Sequence, residues 1–172
     1  HGAEYDGQKV GSLGDAGAFS FQSSKNLTSG EGGMVTTNDV DVRNRVVAFK
    51  DVGRHPEGER WEYPRLGWNY RASEYLAALL NIRLDFLEAE TLRRNENGDY
   101  LRKYLNDMPG LVPPKLSPTT TMHGYHLYMT MFDPNEFGGH SRGEFIAALS
   151  AEGIPSSSGY GTPLSDSEGL KY

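Results

Sequence analysis

Cysteine is absent from this 172-residue sequence. Neither a disulfide framework nor thiolate chemistry is therefore open to it, and the composition fits a reducing compartment. Basic residues are in deficit, with 17 Lys and Arg against 23 Asp and Glu and a formal charge of −6. That balance gives no electrostatic reason to expect nucleic acid or an anionic membrane as partner. Long apolar runs are missing too: AALLNIRLDFLEA is broken by Arg83, Asp85 and Glu88, so no transmembrane helix is expected. The opening HGAEYDGQKVGS has no apolar core of a secretory signal, and the expected location is cytoplasmic. The acidic pairs Glu57/Glu59 and Glu88/Glu90 have no partner pattern for glycosidase or metal work, so no metal site is expected. Apolar residues make up 37% and aromatic residues 11%, enough to bury a core, which excludes global disorder.

Periodicity orders these residues into alternating strands and helices. DAGAFSFQ (15–22) and GGMVTT (32–37) read as strands. Asn38 or Asp39 caps a helix over VDVRNRVVAFKDV that stops at Gly53. GRHPEGERWEYPRLGWN, rich in glycine, proline and charge, reads as a long exposed loop of the kind that often carries function. From Ser73 a long helix follows, with Tyr75, Leu79, Ile82 and Phe86 on one face and Leu76, Leu80 and Leu87 widening it. It is expected to pass Asn97 and Gly98 toward Leu105, with a kink at the glycine. MPGLVPPKLSP marks a change of unit, GYHLYMTMFD alternates as a strand does, and SRGEFIAALSAEGI carries a capping box, Ser141 with Glu144, and a stop at Gly153.

The stretch FSFQSSKNLTSGEGG (19–33) raises the chemical question. A phosphate-binding P-loop needs its lysine after the glycines, whereas Lys25 precedes them, and the dinucleotide fingerprint is absent. Two readings of Lys25 survive: a Schiff-base lysine, with hydroxyls at Ser20, Ser23, Ser24, Thr28 and Ser29 near enough in sequence to meet a phosphate, or a solvated surface lysine. The residues alone leave both open. Asn26-Leu27-Thr28 matches a glycosylation sequon, read here as accidental because a glycan beside Lys25 would block the site.

Taken in order, HGAEYDGQKVGSLGDAGAFSFQSSKNLTSGEGGMVTTND and then LGWNYRASEYLAAL closely resemble the DegT/StrS-type aminotransferases that act on nucleotide-linked keto-sugars. In that family F-S-F, a following lysine and G-E-G-G form the attachment site of pyridoxal 5'-phosphate (PLP). G-x-N-x-R precedes the long helix, and H-L-Y lies on a strand of the small domain. The resemblance implies an α/β fold-type-I PLP-dependent transferase, aspartate aminotransferase-like. Residues 1–72 would end the large mixed-sheet domain, 73–107 would form the connecting helix, and 108–172 would make an incomplete small domain.

It further implies that Lys25 binds PLP as a Schiff base and shuttles the proton, that Ser20 holds the cofactor phosphate, and that Asn69 reaches the phosphate of a neighbouring subunit in a homodimer. His126 would line the sugar pocket, with a structural histidine as the alternative. Arg54, His55, Trp61 and Tyr63 would contact substrate, with a solvated loop as the alternative, and a salt bridge is the expected fate of Arg71. The donor would be L-glutamate and the acceptor a keto-sugar nucleotide. A PLP-dependent sugar dehydratase is a rival disfavoured by retention of Lys25, and a non-catalytic binding protein on the same scaffold is another. The resemblance also gives the expectation of a fragment, inactive alone, with an aspartate about five positions before His1 completing the cofactor site.

Overall fold

The computed structural model describes residues 1–171. In chain order its regular elements are β1 (Glu4–Tyr5), β2 (Gln8–Lys9), β3 (Gly17–Ser20), β4 (Gly33–Thr36), α1 (Val40–Lys50), α2 (Glu74–Leu105), β5 (Leu111–Val112), β6 (Thr120–Met122), β7 (Met131–Phe132) and α3 (Arg142–Ala151). The chain packs as two compact units: one holds His1–Leu101 with Lys115–Tyr128, the other Arg102–Pro114 with Met129–Tyr172.

In the first unit β3 and β4 pair antiparallel, Gly17 opposite Thr36 and Ser20 opposite Gly33. The period of two turns Phe19 inward and leaves Ala18 and Ser20 exposed on the other face. Phe21 and Leu27, buried at 5% exposure each, anchor the two ends of the turn that carries Lys25. β1 pairs antiparallel with β2 on one side and β6 on the other. α1 starts where the sequence placed it, Asp39 accepting from the backbone N–H groups of Asp41 and Val42. Beyond α1 the expected loop is irregular but tied down. Its return segment donates Trp68 N–H to Phe49 O and Tyr70 N–H to Lys50 O, satisfying carbonyls that the helix end leaves without partners.

The long helix α2 runs 32 residues without a break through Asn97 and Gly98. Its expected apolar face is corrected. Tyr75, Leu79, Ile82 and Phe86 are 85%, 51%, 60% and 55% exposed, whereas Leu76, Leu80, Leu87 and Thr91 turn inward. The reason is that the first half of α2 carries apolar residues on more than one face, so periodicity alone does not distinguish the face that packs.

A second correction concerns GYHLYMTMFD. The strand is confined to β7, and Gly124–Thr130 is irregular. Tyr125 has φ +41°, a left-handed conformation that an extended strand cannot contain. His126 therefore sits in a bend, not on a strand.

In the second unit β5 and β7 pair antiparallel, and Phe132, Phe137 and Phe145 form a cluster with ring centroids 4.9 Å apart. α3 carries the full capping box: Ser141 Oγ accepts from Glu144 N–H, and Glu144 Oε2 accepts from Ser141 N–H at 2.7 Å. The Ser141 N–H, then its hydroxyl, then His140 hold the Glu144 carboxyl below its ordinary value. A depressed carboxylate contributes stability above that ordinary value and loses it as pH falls through the lowered one. Ser141→Ala is expected to cost about 1 kcal/mol in urea unfolding near neutral pH. The penalty should shrink in acid, once Glu144 is protonated. An unchanged midpoint at neutral pH would contradict the role of the cap.

Candidate active site

Lys25 stands five residues after Ser20, in the turn that joins β3 to β4. Local bonds make that turn rigid. Lys25 N–H donates to Gln22 O at 2.9 Å, Ser29 N–H donates to Phe21 O at 3.1 Å, and the Thr28 hydroxyl donates to Phe21 O at 2.9 Å. Next to Lys25, Asn26 Nδ2 donates to Gly124 O at 2.5 Å. The turn is thereby joined to a segment 98 positions later in the chain.

That contact brings His126 to the lysine, with Lys25 Nζ and His126 Nε2 3.5 Å apart. Both groups line a cleft of about 210 Å³ with His1, Ala18, Phe19, Ser20, Asn26 and Gly124. The His126 ring is held below its ordinary pKa, first by partial burial and then by the positive charge of Lys25. A neutral imidazole beside Lys25 can accept a hydrogen bond or a proton from the amine. Ser20 Oγ accepts from Gln22 N–H at 3.3 Å, which leaves its own O–H proton to donate. His1 closes one wall. Its ring stacks on Phe19 and Phe21, centroids 5.6 Å from each, and its Nδ1 accepts from Leu27 N–H.

Of the residues expected to act, the fold therefore brings Lys25, Ser20 and His126 together. Asn69, Arg54 and Tyr63 do not line this cleft. Asn69 forms an isolated bridge with Asp51 at the end of α1. Arg54 lies over the rings of Trp61 and Tyr63, 5.9 and 5.7 Å from their centroids. Arg54 is thus part of an ordered stack, and its pKa is raised, chiefly by its hydrogen bond to Tyr63. Arg71 pairs with Asp51 at 2.5 Å, the salt bridge expected for it. His1, Asn26 and Gly124 were not singled out as site residues. Only the H-G-A opening and the position of Asn26 next to Lys25 pointed toward them.

The donor set suits a phosphorylated aldehyde such as PLP. One primary amine, one free hydroxyl proton and two imidazoles face the cleft, and none of its lining residues among those described is acidic. An electrophilic carbonyl would meet the amine and a phosphate would meet no repelling carboxylate. Among the described residues no group of three or more His, Cys, Asp or Glu is placed to hold a metal ion, and no helix is long and apolar enough to cross a membrane.

A profile of the DegT/DnrJ/EryC1/StrS aminotransferase family matches residues 1–170. The chain is similar to the L-glutamine:2-deoxy-scyllo-inosose aminotransferase of Streptoalloteichus tenebrarius, with 38% identity over 170 residues, covering 93% of this chain and 40% of that protein. Among solved structures it is similar to S. venezuelae DesV in complex with a ketimine intermediate, with 30% identity and a TM-score of 0.85, covering 98% of this chain and 43% of that one. It is also similar to DesI in the presence of its TDP-sugar product, with 31% identity and a TM-score of 0.72, covering 88% of this chain and 38% of that one. This chain thus spans about two fifths of the length of the relatives it matches.

Proposed function

The chain belongs to the DegT/DnrJ/EryC1/StrS aminotransferase family, and from that premise we propose that it carries the reactive lysine of a PLP-dependent enzyme that aminates a polyhydroxylated cyclic ketone. The fold is that of the fold-type-I PLP-dependent transferases, and PLP is the cofactor that the family implies. The observation that carries the reading is Lys25 Nζ facing His126 Nε2 in a cleft shared with Ser20.

PLP, when bound, supplies the electron sink that makes a carbon next to the transferred nitrogen acidic. The protein's own groups do the remainder. Lys25 Nζ anchors the cofactor and, when free, carries the proton to and from the reacting carbon. Ser20 Oγ donates its hydroxyl proton to a phosphate oxygen. His126 Nε2 accepts from Lys25 Nζ and orients it. Asn69, absent from the Lys25 cleft, serves the phosphate held by a neighbouring subunit of a homodimer. Arg54 and Tyr63 contact the acceptor from the loop after α1. In the same reading residues 1–72 end the large domain, 73–107 form the connecting helix, and 108–172 belong to the small domain, with Lys115–Tyr128 packing as part of the first compact unit.

L-Glutamine is the donor and a keto-inosose the acceptor in the reading that the curated relatives favour. A nucleotide-linked keto-sugar with L-glutamate as donor is the second reading, favoured by similarity to DesI, whose structure holds a TDP-sugar product. The complete protein, loaded with PLP and reduced with borohydride, should yield a phosphopyridoxyl group on the peptide carrying Lys25. Supplied with L-glutamine and 2-deoxy-scyllo-inosose, it should release an amino-cyclitol. An unmodified Lys25 peptide sinks the proposal. Turnover of a TDP-keto-sugar with glutamate alone would select the second acceptor.

A further inference from the structure

The segment that presents His126 is irregular and largely exposed, yet three consecutive residues before it are each held by a separate contact. Asn95 of α2 grips His123 by both backbone groups: its Nδ2 donates to His123 O at 2.8 Å, and its Oδ1 accepts from His123 N–H at 3.0 Å. Asn26 holds Gly124 through the carbonyl. Tyr125 lies buried over Gly98 of α2, where a Cβ would come within 2.6 Å of its Cζ atom. The next residue is His126.

The left-handed conformation of Tyr125 is unfavourable for a bulky residue and persists only where surroundings over-determine it. Asn95 and the empty side-chain position at Gly98 supply that determination from one turn of α2. Tyr125 also stacks on Tyr128, centroids 5.6 Å apart, and packs on the His123 ring at 4.2 Å, so the turn folds on itself once seated.

We propose that Asn95, Gly98 and Asn26 are positioning residues that lock the 123–126 turn and thereby hold His126 against Lys25. The inference rests on the function proposed above in giving Lys25 a reaction, but its geometry is tested apart from turnover. If the clamp holds His126 beside the lysine, the two groups sense one another, and releasing the clamp uncouples them. The titratable side chains that line the cleft with His126 are Lys25 and His1.

The test uses the complete, cofactor-free protein with isotope-labelled histidine. The His126 signal is assigned by its loss in His126→Gln. Removing the positive charge with Lys25→Met should move the His126 titration to higher pH in the otherwise natural protein. In Gly98→Ala, and separately in Asn95→Leu, the same lysine substitution should shift it by less than half as much. Cooperative melting establishes that each variant is folded. Should Gly98→Ala fail to fold, Asn95→Leu and Asn26→Ala carry the test, since neither inserts an atom into the packed ring of Tyr125. A full-sized shift in the folded clamp variants overturns the proposal. Borohydride trapping at Lys25 reads the function and not the clamp, so failure of one is distinguishable from failure of the other.

Discussion

Lys25→Met in the complete protein is expected to lower amino transfer by at least about 10²–10⁴-fold, the range for removal of a positioned acid–base group. The amine is asked to do two things, anchoring the cofactor and moving a proton, and a thioether does neither. Lys25→Arg separates these tasks from charge. Arginine keeps the positive charge near His126 but cannot deprotonate, so it should fail as completely as methionine. The turn should survive both substitutions, because its bonds run through the Lys25 backbone and its neighbours, not through Nζ. Initial-rate assays with a saturating donor, beside thermal melts, would check both points. Activity within about tenfold of the natural protein in Lys25→Met would return the lysine to the status of a surface charge.

Gly67→Ala should produce the larger loss of stability. Gly53, with φ +91°, and Gly67 meet backbone to backbone at the end of α1. A Cβ on Gly67 would strike Gly53 N, lie 2.6 Å from Ala48 O and lie 2.8 Å from Gly53 Cα. Every obstacle is main chain, so no side chain can swing aside. The return segment would have to lift, releasing Trp68 and Tyr70 from the helix carbonyls they satisfy. Overpacking of this kind together with two lost hydrogen bonds costs about 3 kcal/mol. Gly161→Ala is the control: open space surrounds that position, and a change within about 0.5 kcal/mol is expected. Denaturant unfolding of the two variants would decide it. Equal midpoints would show that the loop is not fastened to α1 as described. Because the same loop carries Arg54, Tyr63 and Asn69, Gly67→Ala should also raise KM for the acceptor.

What the sequence disclosed divides along sequence distance. β3, β4, α1 and α3 were legible because their signals are local: alternation around Phe19, the Asp39 cap, and the pairing of Ser141 with Glu144. The existence and length of α2 were equally plain. Its buried face was not, because Tyr75, Leu79, Ile82 and Phe86 are as apolar as the residues that pack. The strand expected over 124–133 failed at Tyr125, whose backbone is set by Asn95 and Gly98 of a distant helix. At the site, Lys25 and Ser20 lie on one strand and turn, and the motif that joins them could be read directly. His126 entered through resemblance. The contact that delivers it, Asn26 to Gly124, joins residues 98 apart and has no local signature.

That same contact bears on how the protein can be made. The amide nitrogen of Asn26 is the atom an oligosaccharyltransferase would substitute, because Asn26-Leu27-Thr28 is an acceptor sequence. In the folded chain that nitrogen already donates to Gly124 O. A sugar chain attached there during secretion would force the Lys25 turn away from the segment bearing His126. Production through a eukaryotic secretory route would therefore set glycan attachment against closure of the cleft. Thr28→Ala would not be a neutral way to remove the acceptor, since the Thr28 hydroxyl itself ties the turn to Phe21 O and receives Gly30 N–H.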